Sequence, residues 1–286
     1  MRSPVVAVLL CLLTTSAMPA DSPSKGSSET MLLVLRTRVK PYQASEIWTE
    51  ANVEQVFPTA KAAIIITDMW DNHWCDGAAA RVSQIAHRME PLLEKARASG
   101  ILIIHAPSET MSFYEGTAGR KLAEDAPHVP TPPTDPLHDP PLPIDDSNGG
   151  CDTGNKFYRA WSRETSALTI APGDVISDSG AEIFNVLKQH GIDTAFFMGV
   201  HANKCILNRT FGIRQLSRWG IRCVLVRDLT DAMYEPSSRP FVSHAAGTEL
   251  VIEYIEQHWA PTVTSTQILQ ALSDKKPDAH AAETAQ

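Results

Sequence analysis

The sequence predicts a single three-layer α/β domain built on a parallel sheet of about five or six strands. Short apolar runs recur at 61–68, 101–105, 194–200 and 221–228, with stretches of helical periodicity between them. That alternation is the pattern of a parallel sheet covered by helices. The runs are almost continuously apolar rather than alternating, as strands buried on both faces require. The joints between them are short, and neither an internal repeat nor a second domain interrupts the order.

The elements follow along the chain. Arg2, the apolar run Val5 to Leu13 and the small residues of TTSAMPA form an export signal over residues 1–20, with cleavage after Ala17 or Ala20. The apolar run is too short to cross a membrane, so no span is expected in the mature chain. Residues 21–59 form a leader and an edge segment: DSPSKGSSET is polar, and MLLVLRTR at 31–38 suits an edge strand. The main domain is expected over 60–272, with a tail at 273–286.

KAAIIITD at 61–68 reads as a buried strand ending in an acid. Val82, Ile85, Ala86, Met89, Leu92, Leu93 and Ala96 then share one helical face. Pro91 should bend or break that helix, and Gly100 should end it. ILIIH at 101–105 is the second strand. Residues 126–149 are rich in proline and aspartate and lack periodicity, the mark of a long loop. Asp178 or Ser179 can cap the next helix, TAFFMGV at 194–200 is the third strand, and a helix over 205–219 closes at Gly220. IRCVLVRD at 221–228 is the fourth strand, and 247–258 is a further helix.

Composition bounds the partners. The chain has 286 residues, 43% of them hydrophobic, and a net charge of -8. It is long enough to bury a full core, and the lack of a basic tract argues against nucleic acid. Removal of the signal leaves four cysteines, Cys75, Cys151, Cys205 and Cys223. If Cys205 works as a nucleophile, at most one bridge can form among the other three.

In open parallel sheets, sites gather where the strands end at their carboxyl termini. Asp68 and His105 end the first two strands, the segment Gly199 to Cys205 follows the third, and Asp228 ends the fourth. A cysteine just past a strand and at a helix start is well placed to form a thiolate, because free amides and the helix dipole lower its pKa. The same position also suits an inert buried thiol. Asp68 is either a helix cap or a general base for that thiol. Trp70, His73 and His105 are candidate substrate-binding residues, with Trp74 and Cys75 beside them.

Three segments carry a resemblance. IIITDMWDNHWC resembles the first strand of the isochorismatase-like cysteine hydrolases, relatives of the nicotinamidases. GVHANKC is similar to that family's Gly-Val-x-Thr-x-x-Cys segment, and CVLVRDLTDAMY resembles the next strand and turn. The likeness covers roughly residues 60–272 and implies the isochorismatase-like hydrolase fold.

It also implies a mechanism. Cys205 would attack a small amide, imide or ester-like carbonyl, with C–N bond hydrolysis foremost, and Asp68 would shuttle protons. The amides of His201 and Cys205 would form the oxyanion hole, and a cis peptide would fall at Val200–His201.

The chain also departs from the family pattern. The third catalytic residue of that family is a lysine, and near Ser177 or Asp178 there is none; Lys156 is the candidate replacement, ahead of Arg159 or Arg163. Ala202 stands where the family has threonine.

No cofactor and no metal are expected. The spacing of Asp71, His73 and Cys75 does not suit the common metal patterns. Two rival readings stay open: a catalytically silent relative that binds a small molecule, and a metal-dependent enzyme using His73. The expected partner is a small-molecule substrate. Family members often assemble, so a homo-oligomer is compatible with the resemblance.

Overall fold

The computed structural model describes residues 29–133 and 139–274. The expected signal peptide, and all but the first two residues of the expected tail, lie outside them. Eight strands form one sheet: β1 (Thr30–Val39), β2 (Thr49–Pro58), β3 (Ala62–Thr67), β4 (Leu102–Ala106), β5 (Val175–Ile176), β6 (Thr194–Val200), β7 (Arg222–Asp231) and β8 (Thr262–Val263). Their order is β2-β1-β8-β7-β6-β3-β4-β5. From β8 to β5 every pair is parallel. β1 runs antiparallel to both of its neighbours, β2 and β8.

The α-helices among the described residues are α1 (Asp76–Ala98), α2 (Ala118–Glu124), α3 (Gly180–Gln189), α4 (Ile213–Arg218), α5 (His244–His258) and α6 (Ser265–Ser273). α1 and α6 pack on one face of the sheet, and α3, α4 and α5 on the other. β3 shows why its sequence reads as continuously apolar. Ala62, Ile64 and Ile66 enter the α1 layer, while Ala63 and Ile65 enter the α3 layer. Both faces are therefore dry.

The sheet differs from expectation at its margin. MLLVLRTR is not the edge, because β2 pairs with β1 along its whole length from Thr30↔Pro58 to Val39↔Thr49. Of the β2 residues only Phe57 is buried, so TEANVEQVFP lacks the apolar signal of a core strand and escapes a hydrophobicity reading. α1 also differs, since it continues through Pro91. Pro91 is exposed, and its neighbours Met89, Leu92 and Leu93 are fully buried. Their burial offsets the roughly 3 kcal/mol that an internal proline costs.

The expected long helix over 205–219 is broken. A π-helical turn covers Ala202–Ile206, and α4 begins only at Ile213. Between them Thr210 accepts the Gly180 amide at the start of α3 through its Oγ1, at 2.9 Å. This tertiary bond holds the chain away from a continuous helical path.

After β3 the chain moves out to β4 and β5, then returns to the other side of β3 as β6. The carboxyl ends of β3 and β6 thus flank the topological switch point, where open α/β sheets leave a crevice. Gly199 allows these two strands to meet. Its φ is +111°, and an added Cβ would collide with the carbonyl of Thr67. β7 accommodates the junction with a register shift opposite Phe197 and Gly199, and Thr230 Oγ1 donates to the Gly199 carbonyl at 2.8 Å.

Candidate active site

Asp68 is the first residue beyond β3 and has a positive φ of 48°. Its amide donates to the Ala106 carbonyl of β4 at 3.1 Å, which fixes the backbone as it turns. The side chain is fully buried. One carboxylate oxygen accepts the Ser108 amide at 2.7 Å, and the other accepts Nε of Arg209 at 3.0 Å. The Cys205 thiol lies close enough to the same carboxylate for each group to shift the other's pKa. Burial raises the Asp68 pKa above the ordinary carboxylate value, while Arg209, the thiol and the Ser108 amide oppose it.

Cys205 follows β6 by way of the π-helical turn. The preceding Val200–His201 peptide is cis, at the place the resemblance implies. The His201 amide lies close enough to the Cys205 sulfur to oppose the rise in its pKa. The expectation of a depressed thiol pKa is corrected here. Burial and then the Asp68 charge push the thiol well above its ordinary value, against the opposing pull of Arg209 and the His201 amide. A turn of five residues ending in an irregular segment supplies little dipole, and a carboxylate next to a thiol disfavours a second negative charge. Burial thus disfavours the thiolate, and Arg209 opposes the rise that burial imposes on Asp68.

That guanidinium corrects the expectation for Lys156. Lys156 is exposed, and the cation on Asp68 is Arg209. Arg163 stacks its guanidinium over Phe113, 5.2 Å from the ring centroid, and Arg159 donates to the Glu109 carbonyl, so neither takes that place. Arg209 lies four residues after Cys205, and its amide donates to the Cys205 carbonyl at 3.0 Å. One helical turn thus carries both groups on the same face. A second guanidinium nitrogen reaches Glu109 Oε1 at 3.3 Å. A basic residue four positions after a candidate nucleophile was the available sequence signal.

The other expected site residues divide. Trp70 and His73 are brought to this region. Trp70 is buried, donates from Nε1 to the Ser108 carbonyl at 3.1 Å, and has the Arg209 guanidinium 6.0 Å from its ring centroid. His73 is buried edge-to-face with His201 at 5.1 Å between centroids. Burial lowers the pKa of His73 to about 4 and that of His201 to about 3, so both are neutral at pH 7.

His105 is the correction. It is fully buried between Glu164 Oε2 at 2.7 Å and Asp174 Oδ2 at 3.1 Å. Burial alone would lower its pKa, but the two carboxylates outweigh it and raise the value to about 9. Its role is to tie β4 to the segment carrying Glu164 and Asp174.

The residues considered for a metal are otherwise engaged. Cys75 forms a disulfide with Cys151. Asp71 accepts the Ser162 amide at 2.9 Å and the Ser162 hydroxyl at 2.6 Å, and His73 Nδ1 accepts the Cys75 amide at 3.0 Å. Among the described residues, the one set of three ligand atoms close enough to share an ion is Cys75, Cys151 and Asp152, and its sulfurs are spent in that disulfide. These residues do not fit a metal centre, and no chemical step is assigned to one.

A second polar cluster lies beside the Ala202–Ile206 turn. Asp231, at the end of β7, accepts Arg81 Nε at 2.8 Å and lies 2.8 Å from His244 Nε2. Burial would raise the Asp231 pKa, but His244 and Arg81 hold it at about 2. Asn203 pins the turn itself, donating to the Met233 carbonyl at 3.0 Å and accepting the Met233 amide at 2.9 Å.

No family model and no curated protein matches this chain. Solved structures do. A cysteine hydrolase from Pseudomonas syringae pv. phaseolicola superimposes with a TM-score of 0.51 at 17% identity, over 76% of this chain and 94% of that one. The fold is that of this cysteine hydrolase.

Two further structures of the cysteine-hydrolase and isochorismatase group have lower TM-scores. An isochorismatase from Pseudomonas putida has a TM-score of 0.43 at 16% identity, covering 73% of this chain and 90% of that one. A pyrazinamidase of Pyrococcus horikoshii, solved in complex with zinc, has 0.42 at 16%, covering 71% and 99%. With the cysteine-hydrolase fold, Asp68 and Cys205 occupy the carboxyl ends of adjacent central strands, where such a scaffold places its crevice.

Proposed function

We propose that this chain is a hydrolase of the isochorismatase-like cysteine type, acting on a small amide, imide or ester-like carbonyl compound. The observation that carries this reading is the meeting of the Cys205 thiol with the buried Asp68 carboxylate. The cysteine-hydrolase fold supports it.

The resting charges suit a proton transfer made on demand. A neutral thiol gives its proton to Asp68 as its sulfur attacks the substrate carbonyl carbon. Burial raises the Asp68 pKa and makes the carboxylate a better acceptor. Negative charge then moves from Asp68 to the carbonyl oxygen, where the amides of His201 and Cys205 receive it. Collapse expels the amine or alcohol, which takes the proton from Asp68, and leaves a thioester on Cys205. Water next gives a proton to Asp68 and attacks the thioester. Collapse releases the acid, and the sulfur recovers its proton. Arg209 keeps the site balanced throughout, since its charge remains while the negative charge travels.

The Cys75–Cys151 bridge supports export of the mature chain, because disulfides persist in oxidising compartments. The test is turnover of a panel of small amides, imides and esters by the wild type, Cys205→Ser and Asp68→Asn. The expected result is hydrolysis by the wild type, with kcat reduced by at least about a thousandfold in both variants at unchanged thermal stability for Cys205→Ser. Full activity in Cys205→Ser would exclude the thiol mechanism, and an inert panel with a thiol of ordinary reactivity would favour the silent binding relative.

A further inference from the structure

Trp161 lies on a segment, Gly149–Arg163, that the catalytic reading does not use. The segment is fastened at both ends. At its start, Cys151 is bonded to Cys75, the residue just before α1. Asn155 Oδ1 accepts the Asp76 amide at 3.1 Å and Asn155 Nδ2 donates to Asp76 Oδ2 at 3.0 Å. At its end, Ser162 bonds Asp71, and the Asp71 amide donates to the Arg163 carbonyl at 2.9 Å. Beyond it, Glu164 bridges Trp70 in antiparallel pairing. The segment therefore runs against the stretch that leaves Asp68.

This fastening places the Trp161 indole face to face on Trp70, with centroids 4.2 Å apart and planes 8° from parallel. The His73 ring lies 6.1 Å from Trp161 and 6.2 Å from Trp70, tilted by 24° and 25°. From Trp70 the contacts pass to Arg209 and Asp68. From His73 they pass to His201, whose amide lies close to the Cys205 sulfur. Trp161 is thus tied to the reacting pair from two sides.

Two ring nitrogens along these contacts lack a partner among the described residues, Nε1 of Trp161 and Nε2 of His201, and of the two the indole N–H is a fixed donor. Nε1 of Trp161 is buried and makes no hydrogen bond among the described residues, whereas the indole N–H of Trp70 is satisfied by Ser108. A buried donor without an acceptor costs about as much as a lost hydrogen bond, and indole N–H groups usually find a partner when buried. A substrate atom is the acceptor that would remove this cost, and a flat aromatic wall admits a planar one.

We propose that Trp161 is a specificity-determining residue whose indole N–H, held by the fastened Gly149–Arg163 segment, donates to a second acceptor on a planar carbonyl substrate. The acceptor is a ring nitrogen or a second carbonyl oxygen, separate from the carbonyl that Cys205 attacks. This inference rests on the hydrolase reading for its activity arm, but its binding arm is independent of turnover.

The test uses matched pairs of planar carbonyl compounds that differ only in this acceptor, such as a ring nitrogen exchanged for C–H. Trp161→Phe keeps an aromatic face and deletes the donor. In the activity arm, wild-type kcat/KM should favour the acceptor-bearing member by about tenfold or more. Trp161→Phe should reduce that preference to within about threefold, chiefly through KM. Persistence of the preference in Trp161→Phe, or its absence from the wild type, overturns the proposal.

In the binding arm, calorimetry compares Cys205→Ala with the double variant Cys205→Ala/Trp161→Phe. The same preference in affinity, lost with the indole, supports the donor role even if nothing is turned over, in which case only the hydrolase reading fails. Equal affinity for both members in Cys205→Ala refutes the donor role, whatever the kinetics of Cys205.

Discussion

At the scale of single residues, the site is governed by how few charges it holds and how tightly they are matched. Asp68 is fully buried and has one cation, Arg209, at 3.0 Å. Removing that cation leaves a buried carboxylate unpaired, which is the expensive way to break an ion pair. Arg209→Met should cost about 2–4 kcal/mol in a denaturant titration. It should also raise the Asp68 pKa further, so that the acidic limb of the kcat/KM profile moves to higher pH. Arg209→Lys should restore most of the stability but less of the activity, because a point charge cannot bond Asp68 and Glu109 with a fixed fork.

His105 gives a pH dependence of stability. Its folded pKa is raised to about 9 from an ordinary 6.5. The folded state therefore holds the proton more tightly than the unfolded state. The stabilisation is complete below about pH 6.5 and is lost as pH rises through about 9. It amounts to about 3 kcal/mol for a shift of this size. Thermal melts from pH 6 to 10 should show Tm falling across that window in the wild type and a flatter profile in His105→Gln. An unchanged slope in the variant would assign the fall to other groups.

At the scale of elements, two strand ends and one turn bring the candidate pair together. β3 delivers Asp68 and β6 delivers His201 and Cys205, and the two strands are hydrogen-bonded neighbours from Ala62↔Thr194 to Thr67↔Gly199. Gly199 is the contact that permits this approach, since any side chain there would strike the Thr67 carbonyl and its positive φ disfavours other residues. Gly199→Ala should destabilise the protein by about 3 kcal/mol and separate Asp68 from Cys205. Denaturation with parallel assay checks both effects; a stable, fully active variant would show that the strands can part without loss.

The expected strands at 61–68, 101–105, 194–200 and 221–228 were legible because each is largely buried on both faces and written mostly in apolar residues. β2 was not, because its one buried side chain is Phe57. The stretch 205–219 reads as one regular helix in sequence, because its departure is set by Thr210 bonding Gly180 thirty residues away.

At the scale of the whole molecule, the disulfide links the start of α1 to the segment that carries Trp161. It closes a separation of 76 residues, and a cross-link of that span restricts the unfolded chain. Cys75→Ala/Cys151→Ala should lower stability by about 3–4 kcal/mol, read from the midpoint of a urea transition. It should also loosen the Trp161 wall and raise KM more than it lowers kcat, because Asp68, Cys205 and Arg209 are held by other elements. A large fall in kcat with KM unchanged would instead tie the bridge to the chemistry.

The sequence by itself determined the layered α/β architecture, the candidate pair Asp68 and Cys205 at strand ends, and the bound of one disulfide. Each is written in local signals: apolar runs, their spacing, and the residue that terminates a run. Tertiary structure alone decided that Arg209 and not Lys156 accompanies Asp68, that His105 serves a buried ion cluster, that Cys75 pairs with Cys151, and that burial raises the thiol pKa. These outcomes depend on which groups from distant parts of the chain share a dry volume. Burial and charge pairing act through distance in space, and position along the chain does not encode that distance.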